Sequence, residues 1–300
     1  MSLLVLGTVA FDTIETPFGK ADRIIGGAGT YVAWASSHFY NDIKLVSVIG
    51  GDFPNSELEA LKDRGVNMDG LEVRADEKSF FWAGRYHNNM NSRDTLATEL
   101  NVLETYAPVL PDSIKNVDYL MLGNFAPAVQ KSVLDQLESR PKLVAMDTMN
   151  FWMDIAMDEL KTVIKEVDVL TINDEEARQL SGEYSLVKAA QVILEMGPTH
   201  LIIKKGEHGA LLFHKEGMFY VPALPLEEVF DPTGAGDSFA GGFMGYLAKT
   251  DDFSFENMKR ALVCGSVVAS FCVEKFGPNK LKEISADDIR NRTNEFLGLM

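Results

Sequence analysis

A glycine-rich turn ahead of a predicted helix has the residue types needed to bind and transfer a phosphate. Gly234 and Gly236 have no Cβ and can adopt positive φ angles, so this turn can be tight. A helix is predicted from Ser238 to about Lys249, and the N–H groups of its first turn would point into one concavity, where the helix dipole favours an anion. Asp237 lies in the same turn. It is either an acid that caps the helix or a base beside a transferring phosphoryl group.

The sequence of residues 231–239, Asp-Pro-Thr-Gly-Ala-Gly-Asp-Ser-Phe, resembles the C-terminal signature of the ribokinase-like (PfkB) family of small-molecule kinases. The resemblance implies that Asp237 is the base that takes the proton from the acceptor hydroxyl. It also implies that the backbone of Gly234, Ala235, Gly236 and Asp237 forms the anion hole. Asp231 resembles the family position tied to a monovalent-cation site, so the resemblance suggests activation by K⁺. The alternative is that Asp231 only braces the turn.

A second glycine-rich segment lies near the N-terminus. Asp12 follows the first predicted strand, and Gly26 and Gly27 precede a predicted helix, in a spacing that matches neither a dinucleotide fingerprint nor a Walker motif. The segment resembles the N-terminal signature of the same family, which implies that Asp12 binds acceptor hydroxyls and that the paired glycines close over the acceptor. A solvated loop acid is the alternative for Asp12. Ribokinases carry sugar-binding asparagines near Ala10 and Tyr31, and this sequence lacks both.

The segment Asn173-Asp-Glu-Glu176 opens a predicted helix at the carboxyl end of a predicted strand. As local structure it is a variant of the capping box. It also matches the Asn-x-x-Glu motif of the family, which implies that Asn173 borders the nucleotide and that Glu176 helps to place Mg²⁺, through water. One carboxylate and one amide suffice for this role because Mg²⁺ keeps several of its waters.

The resemblance also predicts where ATP lies. The turn Gly206-Glu-His-Gly209 resembles the family loop along one wall of the nucleotide pocket. Lys204 and Lys205 precede this turn, and one of them is expected to meet a phosphate. Asn279 lies in a loop that borders adenine in the family.

Predicted strands and helices alternate regularly from about residue 117, which predicts right-handed crossovers and a parallel sheet with helices on both faces. The fold class is therefore α/β, a three-layer α/β/α arrangement with a mostly parallel sheet. Ligands in such folds bind at the carboxyl ends of the strands. Asn124, Asp147 and Asn150 all follow predicted strands. Asn124 and Asn150 are candidate amides of the acceptor site, and turn chemistry is the alternative explanation for them.

Strands with mixed polar and apolar faces predict a small lid sheet, inserted at about residues 11–25 and 72–105 of a single domain, 1–300. The resemblance implies that this lid covers the acceptor and that it can form a homodimer interface. Arg85 is expected to form a surface ion pair, and the alternative is an approach to the phosphates. Two roles, covering the substrate or meeting a second chain, stay open for the lid aromatics, which are Phe80, Phe81, Trp82 and Tyr86.

Composition limits the classes of partner. The net charge of −16 argues against unaided binding to nucleic acid or to an anionic membrane, so a site for ATP must be locally positive. The two cysteines, Cys264 and Cys272, are eight residues apart in one predicted helix. That spacing is about 12 Å along the axis, too far for a disulfide, and reduced thiols predict a cytoplasmic location. No apolar run is long enough to span a membrane, and no signal peptide is expected.

These expectations combine into an ATP-dependent, Mg²⁺-requiring kinase that phosphorylates a hydroxymethyl group. A sugar is the first choice of acceptor. A nucleoside is the alternative, favoured by the missing ribokinase asparagines and by three aromatic residues near the glycines that could stack a base, Phe11, Tyr31 and Trp34. Those aromatics could equally be core residues. A non-catalytic sensor of nucleotide or sugar is the remote third hypothesis.

Overall fold

The computed structural model describes residues 1–299. Its centre is one nine-stranded sheet. The strands of this sheet are β1 (Leu3–Leu6), β4 (Ile43–Gly50), β5 (Val66–Arg74), β8 (Tyr119–Leu122), β9 (Leu143–Asp147), β10 (Val169–Asn173), β11 (His200–Lys204), β12 (Ala210–His214) and β13 (Gly217–Val221). Their order is β13-β12-β11-β10-β9-β8-β1-β4-β5. All neighbours are parallel except β12, which runs antiparallel to both β11 and β13. The predicted α/β class is confirmed.

Helices cover both faces of the sheet. They are α1 (Ala28–Ser36), α2 (Asn55–Asp63), α3 (Pro127–Asp135), α4 (Asn150–Ile155), α5 (Met157–Ile164), α6 (Asp174–Ser181), α7 (Leu186–Leu194), α8 (Ala235–Thr250), α9 (Phe255–Cys272), α10 (Asn279–Glu283) and α11 (Ala286–Leu297). In β1, Leu3 and Val5 join a core shared with α1, α8 and α9, whereas Leu4 and Leu6 join a second core shared with α3, α5, α6 and α7. Strands covered on both faces need apolar residues at every position, and β1 has them.

A separate four-stranded sheet forms the lid. Its strands are β2 (Ala10–Thr16), β3 (Gly19–Gly26), β6 (Phe80–Tyr86) and β7 (Arg93–Glu99), in the order β3-β2-β6-β7. Two segments distant in the chain therefore build the lid, and they meet where β2 pairs in parallel with β6. The predicted second insertion, residues 72–105, began too early. Residues 72–74 belong to β5, an edge strand of the central sheet whose mixed exposure imitates a lid strand.

No helix within residues 1–299 is both long and apolar enough to cross a bilayer. Cys264 and Cys272 lie in α9, buried and unbridged, as their spacing predicted.

Candidate active site

The turn before α8 has the geometry of an anion hole. Gly234 is the N-cap residue with φ of 75°, and a Cβ there would lie 2.4 Å from the ring of Tyr31, so only glycine fits. No side chain caps the helix. Within residues 1–299, the N–H groups of Gly236 and Asp237 have no hydrogen-bond partner. Two free N–H groups at the positive end of a 16-residue helix suit a phosphate oxygen.

Asp237 lies half-buried in the first turn of α8. Burial and the nearby charge of Asp147 raise its pKa to about 7, while Lys204 and Arg93 oppose the rise. A carboxylate with a pKa near the working pH is suited to accept a proton from a hydroxyl group. Asp237 is therefore not an ordinary solvent-exposed acid at the start of a helix.

Lys204 and Asp147 form the charged floor of the site. Lys204 Nζ donates to Asp147 Oδ2 at 2.6 Å, and Asp147 is 5% exposed. A Cβ on Gly236 would lie 3.1 Å from the same Nζ, so the ammonium group lies against the anion hole. Burial alone would lower the pKa of Lys204, but Asp147 and Glu176 raise it, and the side chain stays charged. Asp147 was not among the predicted site residues. The sequence signal that could have identified it is its position at the carboxyl end of β9.

Asn173 and Glu176 form the predicted capping box at the start of α6. Asn173 Oδ1 accepts from the N–H of Glu176 at 2.8 Å, and Glu176 Oε2 accepts from the N–H of Asn173 at 2.7 Å. Glu176 is also buried, and its pKa is raised by that burial and by Asp147. Its other carboxylate oxygen has no part in the cap, so the capping role and the metal role are compatible.

The residues of the site suit a metal ion that is held mainly by substrate phosphates and water. Within residues 1–299, no group of three His, Cys, Asp or Glu side chains could hold a metal ion by itself. Mg²⁺ bound through one carboxylate, substrate phosphates and water needs no such group, so Glu176 fits this metal.

Asp12 lies buried against the paired glycines. It is 4% exposed, and a Cβ on Gly26 would lie 1.9 Å from its Oδ2, so the carboxylate occupies the space that glycine leaves. Burial and the charges of Asp231 and Asp237 raise its pKa to about 8, and the backbone N–H of Gly27 offsets part of the rise. The alternative of a solvated loop acid is therefore wrong.

The inner face of the lid is the face that carries Asp12, Trp82 and Tyr86. Asp12 and Trp82 are partners in the β2–β6 register, so their side chains lie side by side. The hydroxyl groups of Tyr86 and Thr233 are hydrogen-bonded at 3.1 Å, which fixes this face over the glycine turn. Arg85 points the other way and pairs with Glu15 at 2.9 Å, the predicted surface ion pair.

The amides of the two candidate acceptor-site asparagines are engaged elsewhere. Asn124 Oδ1 accepts from Trp152 Nε1 at 2.9 Å, and its Nδ2 contacts the sulfur of Met149. Asn150 Nδ2 donates to Gln179 Oε1 at 2.6 Å. Asn124 therefore supports Trp152, and Asn150 supports Gln179; binding of the acceptor by either amide stays a prediction.

The predicted nucleotide wall forms a tight turn. Gly206 and Gly209 have φ of 53° and 81°, conformations that glycine adopts without strain. Asn279 begins α10 and donates from Nδ2 to the carbonyl oxygen of Phe276 at 2.8 Å. Asp231 accepts the N–H of Thr233 at 2.8 Å and the N–H of Gly277 at 3.0 Å, so it does brace the turn.

The three aromatic residues offered as a stacking surface are core residues. Phe11, Tyr31 and Trp34 are 5%, 1% and 3% exposed. They cannot stack a base, and that argument for a nucleoside was wrong. Trp82, on the inner face of the lid and half-buried, is the aromatic residue beside Asp12.

Comparisons with known proteins agree with this geometry. The family model described as pfkB family carbohydrate kinase matches residues 10–284. A cytidine kinase of Thermococcus kodakarensis is 30% identical over 251 residues, which cover 81% of this chain and 87% of the relative. A nucleoside kinase of Methanothermobacter thermautotrophicus is 28% identical, with 92% and 90% covered.

A solved structure shares the fold. It is a candidate Ribokinase II from E. coli in complex with ATP and Mg²⁺, with a TM-score of 0.81, 19% identity, and 98% of this chain and 99% of that chain covered. The chain therefore belongs to the PfkB family of ribokinase-like kinases, and it is an ATP-dependent phosphotransferase with an alcohol group as acceptor.

Proposed function

We propose that this kinase phosphorylates the 5′-hydroxymethyl group of a ribonucleoside. The observation that carries the proposal is the register of the lid, which places the side chains of Asp12 and Trp82 on the same face of neighbouring strands. The indole extends toward β7, where its Nε1 donates to Thr95 Oγ1 at 3.3 Å. A vicinal diol can donate two hydrogen bonds to one carboxylate. A flat aromatic ring beside it offers a surface on which a base can stack. A free sugar uses the carboxylate and leaves the ring without a partner.

The relatives support the same acceptor. The cytidine kinase and the nucleoside kinase each align with more than four fifths of this chain.

In the proposed reaction the acceptor hydroxyl attacks the γ-phosphorus of ATP in line, and the bond to the β,γ-bridging oxygen breaks, so that ADP is the leaving group. Asp237 receives the hydroxyl proton. The N–H groups of Gly236 and Asp237, with Lys204 beside them, stabilise the negative charge on the transferring group. Glu176 would hold Mg²⁺ through water, and this ion supplies charge neutralisation at the phosphates. Asn173, Gly206, Gly209 and Asn279 are proposed to border the nucleotide.

A sugar kinase is the second candidate, because the family model is that of carbohydrate kinases. One competition assay separates the two. The enzyme is given ATP with equimolar ribose, fructose and the common ribonucleosides, and the products are identified by mass. A nucleoside 5′-monophosphate as the main product supports the proposal, and a sugar phosphate as the main product contradicts it. Deoxynucleosides should be poorer acceptors, since they present one hydroxyl fewer to Asp12.

Three further expectations accompany the proposal. Activation by K⁺ near Asp231 is tested by replacing K⁺ with Na⁺ at constant ionic strength. A homodimer through the lid is tested by light scattering. A cytoplasmic location agrees with the unbridged cysteines.

A further inference from the structure

Arg93 is an exposed residue on the inner face of the lid. In the β6–β7 ladder it lies directly opposite Tyr86. Side chains of directly opposed residues lie on the same face of a sheet. The Tyr86 hydroxyl contacts Thr233 in the glycine turn, so the face shared by Tyr86 and Arg93 is the inner one.

A bulge decides which side chain takes this place. Ala83 pairs with Ala97, but Gly84 pairs with Thr95, so Leu96 is an extra residue in β7. A shift of one residue turns every side chain to the other face. If the ladder continued regularly from the Ala83–Ala97 pair, with Leu96 paired to Gly84, Asp94 rather than Arg93 would lie opposite Tyr86.

The guanidinium of Arg93 is not committed to an ion pair. Its Cζ lies 5.8 Å from the centre of the Trp82 ring. Across residues 1–299, no carboxylate oxygen lies within 4.0 Å of its nitrogens, whereas Arg85, on the other face, pairs with Glu15 at 2.9 Å. An exposed arginine that no carboxylate neutralises can bind an anion.

The tip of the lid reaches the predicted nucleotide loop. Asn91 Nδ2 lies 3.4 Å from Glu207 Oε1, and a Cβ on Gly206 would lie 2.5 Å from Asn91 Oδ1. The lid is thus held at Thr233 by Tyr86 and contacts the nucleotide loop through Asn91. Arg93 lies between these two contacts on the lid hairpin, two residues after Asn91 and opposite Tyr86.

Carboxylates outnumber cationic side chains around the proposed site. The buried or half-buried carboxylates that influence one another in it are Asp12, Asp147, Glu176, Asp231 and Asp237. Lys204 already pairs with Asp147. The positive charge of Arg93 acts on this cluster, since it lowers the pKa of both Asp237 and Glu176 against the rise caused by burial. ATP adds more negative charge to the same space.

We infer that Arg93 is a further catalytic residue. Its guanidinium contacts the transferring phosphoryl group from the lid, while the N–H groups at the start of α8 contact the same group from the opposite side. The inference rests on the proposed phosphoryl transfer at Asp237. A guanidinium presents a planar fork of donors that matches phosphate oxygens. Because this arginine comes from the lid, the transferring group is fully surrounded only when the lid is closed.

The test compares Arg93→Ala and Arg93→Lys with Arg85→Ala, a matched arginine of the same hairpin on the opposite face. Steady-state kcat and both KM values are measured with whichever acceptor the wild type phosphorylates, and added guanidinium ion is tested for rescue. Far-UV circular dichroism and thermal unfolding check that each variant is folded. We expect Arg93→Ala to lower kcat by about 10²–10³-fold, the usual effect of losing one charge-stabilising donor. Arg93→Lys should recover part of the loss, and guanidinium should partly rescue Arg93→Ala.

The inference is overturned if Arg93→Ala keeps kcat within about threefold of wild type, or if only the acceptor KM changes. It is also overturned if Arg85→Ala loses as much kcat as Arg93→Ala, since the effect would then belong to lid stability. Failure of the proposed acceptor is a separate result. If the wild type phosphorylates ribose and no nucleoside, the acceptor proposal falls, and the Arg93 comparison is made with ribose.

Discussion

Lys204 and the buried Asp147 form an ion pair, Nζ to Oδ2 at 2.6 Å, directly beside the first turn of α8. The two members act on Asp237 with opposite sign. Asp147 raises the pKa of Asp237, and Lys204 lowers it. Burial is the largest cause of the raised pKa of Asp237, and the pair adjusts the pH at which this proposed base is ready to accept a proton.

We expect the wild-type kcat/KM to fall as the pH drops below about 7, where Asp237 becomes protonated. Asp147→Asn should move this limb to lower pH, since it removes the charge that raises the pKa of Asp237. Lys204→Met should move it to higher pH and also weaken binding of ATP. Rate profiles between about pH 5.5 and pH 9 measure both shifts. Shifts of the same sign in the two variants would show that the pair does not tune Asp237.

Asp237→Asn should lower kcat by roughly 10²–10⁴-fold, the usual contribution of a general base, while ATP still binds. Asparagine keeps the size of the side chain and leaves the backbone N–H groups of the turn in place. The measurements are steady-state kcat and ATP binding by calorimetry. Near-wild-type turnover would remove Asp237 as the base.

Glu176→Gln should raise the Mg²⁺ concentration needed for half-maximal activity. The amide oxygen of glutamine can still accept the N–H of Asn173, so the helix cap is kept while the negative charge is lost. Asp288→Asn is the matched control, because Asp288 forms the equivalent capping box with Ser285 at the start of α11. An unchanged Mg²⁺ titration in Glu176→Gln would leave Glu176 as a cap alone.

Asp12→Asn should stabilise the ligand-free protein at high pH. The pKa of Asp12 is raised from 3.8 to about 8, so the folded state binds more protons than the unfolded state between these values. The free energy of unfolding therefore falls as the pH rises through this window, and asparagine abolishes the fall. Thermal unfolding at pH 5 and pH 8.5 should show the larger gain at pH 8.5. Asp287→Asn, on the exposed face of α11, is the control. If Asp12→Asn raises the stability equally at both pH values, or by no more than Asp287→Asn does, then burial of the Asp12 carboxylate is not the cause of the pH dependence.

Trp82→Ala should reduce kcat/KM for a nucleoside by about ten- to hundredfold, since stacking of a base on an aromatic ring contributes roughly 1–3 kcal/mol. Trp82→Phe keeps a ring and should lose much less. Ribose, which has no base, serves as the control acceptor for both variants. An equal loss with ribose would show that Trp82 supports the lid and does not recognise a base.

Local signals in the sequence predicted the glycine turn, the capping box and the alternation of strands and helices, because each of these depends on neighbouring residues. Such local signals do not predict which residues of distant strands come into contact. Asp147 and Lys204 are 57 residues apart and meet only because β9 and β11 flank β10. Arg85 was weighed as the phosphate contact and Arg93 was not. The bulge in β7 decides whether Arg93 or Asp94 faces inward, and no pattern in the sequence predicts that bulge.

Two separate segments of the chain form the lid, and this affects chimeras made between relatives. Asp12 belongs to the segment of residues 10–26, whereas Trp82 and Arg93 belong to residues 80–99. The two segments pair through a parallel ladder of β2 with β6, from Ala10 to Glu15. A chimera with a single crossover between these segments would combine half of each parent's lid. Its aspartate proposed to bind the diol would come from one parent, and its aromatic ring and lid arginine from the other. Acceptor choice in such hybrids should follow the parent that supplies residues 80–99, even when the other parent supplies Asp12 and the paired glycines.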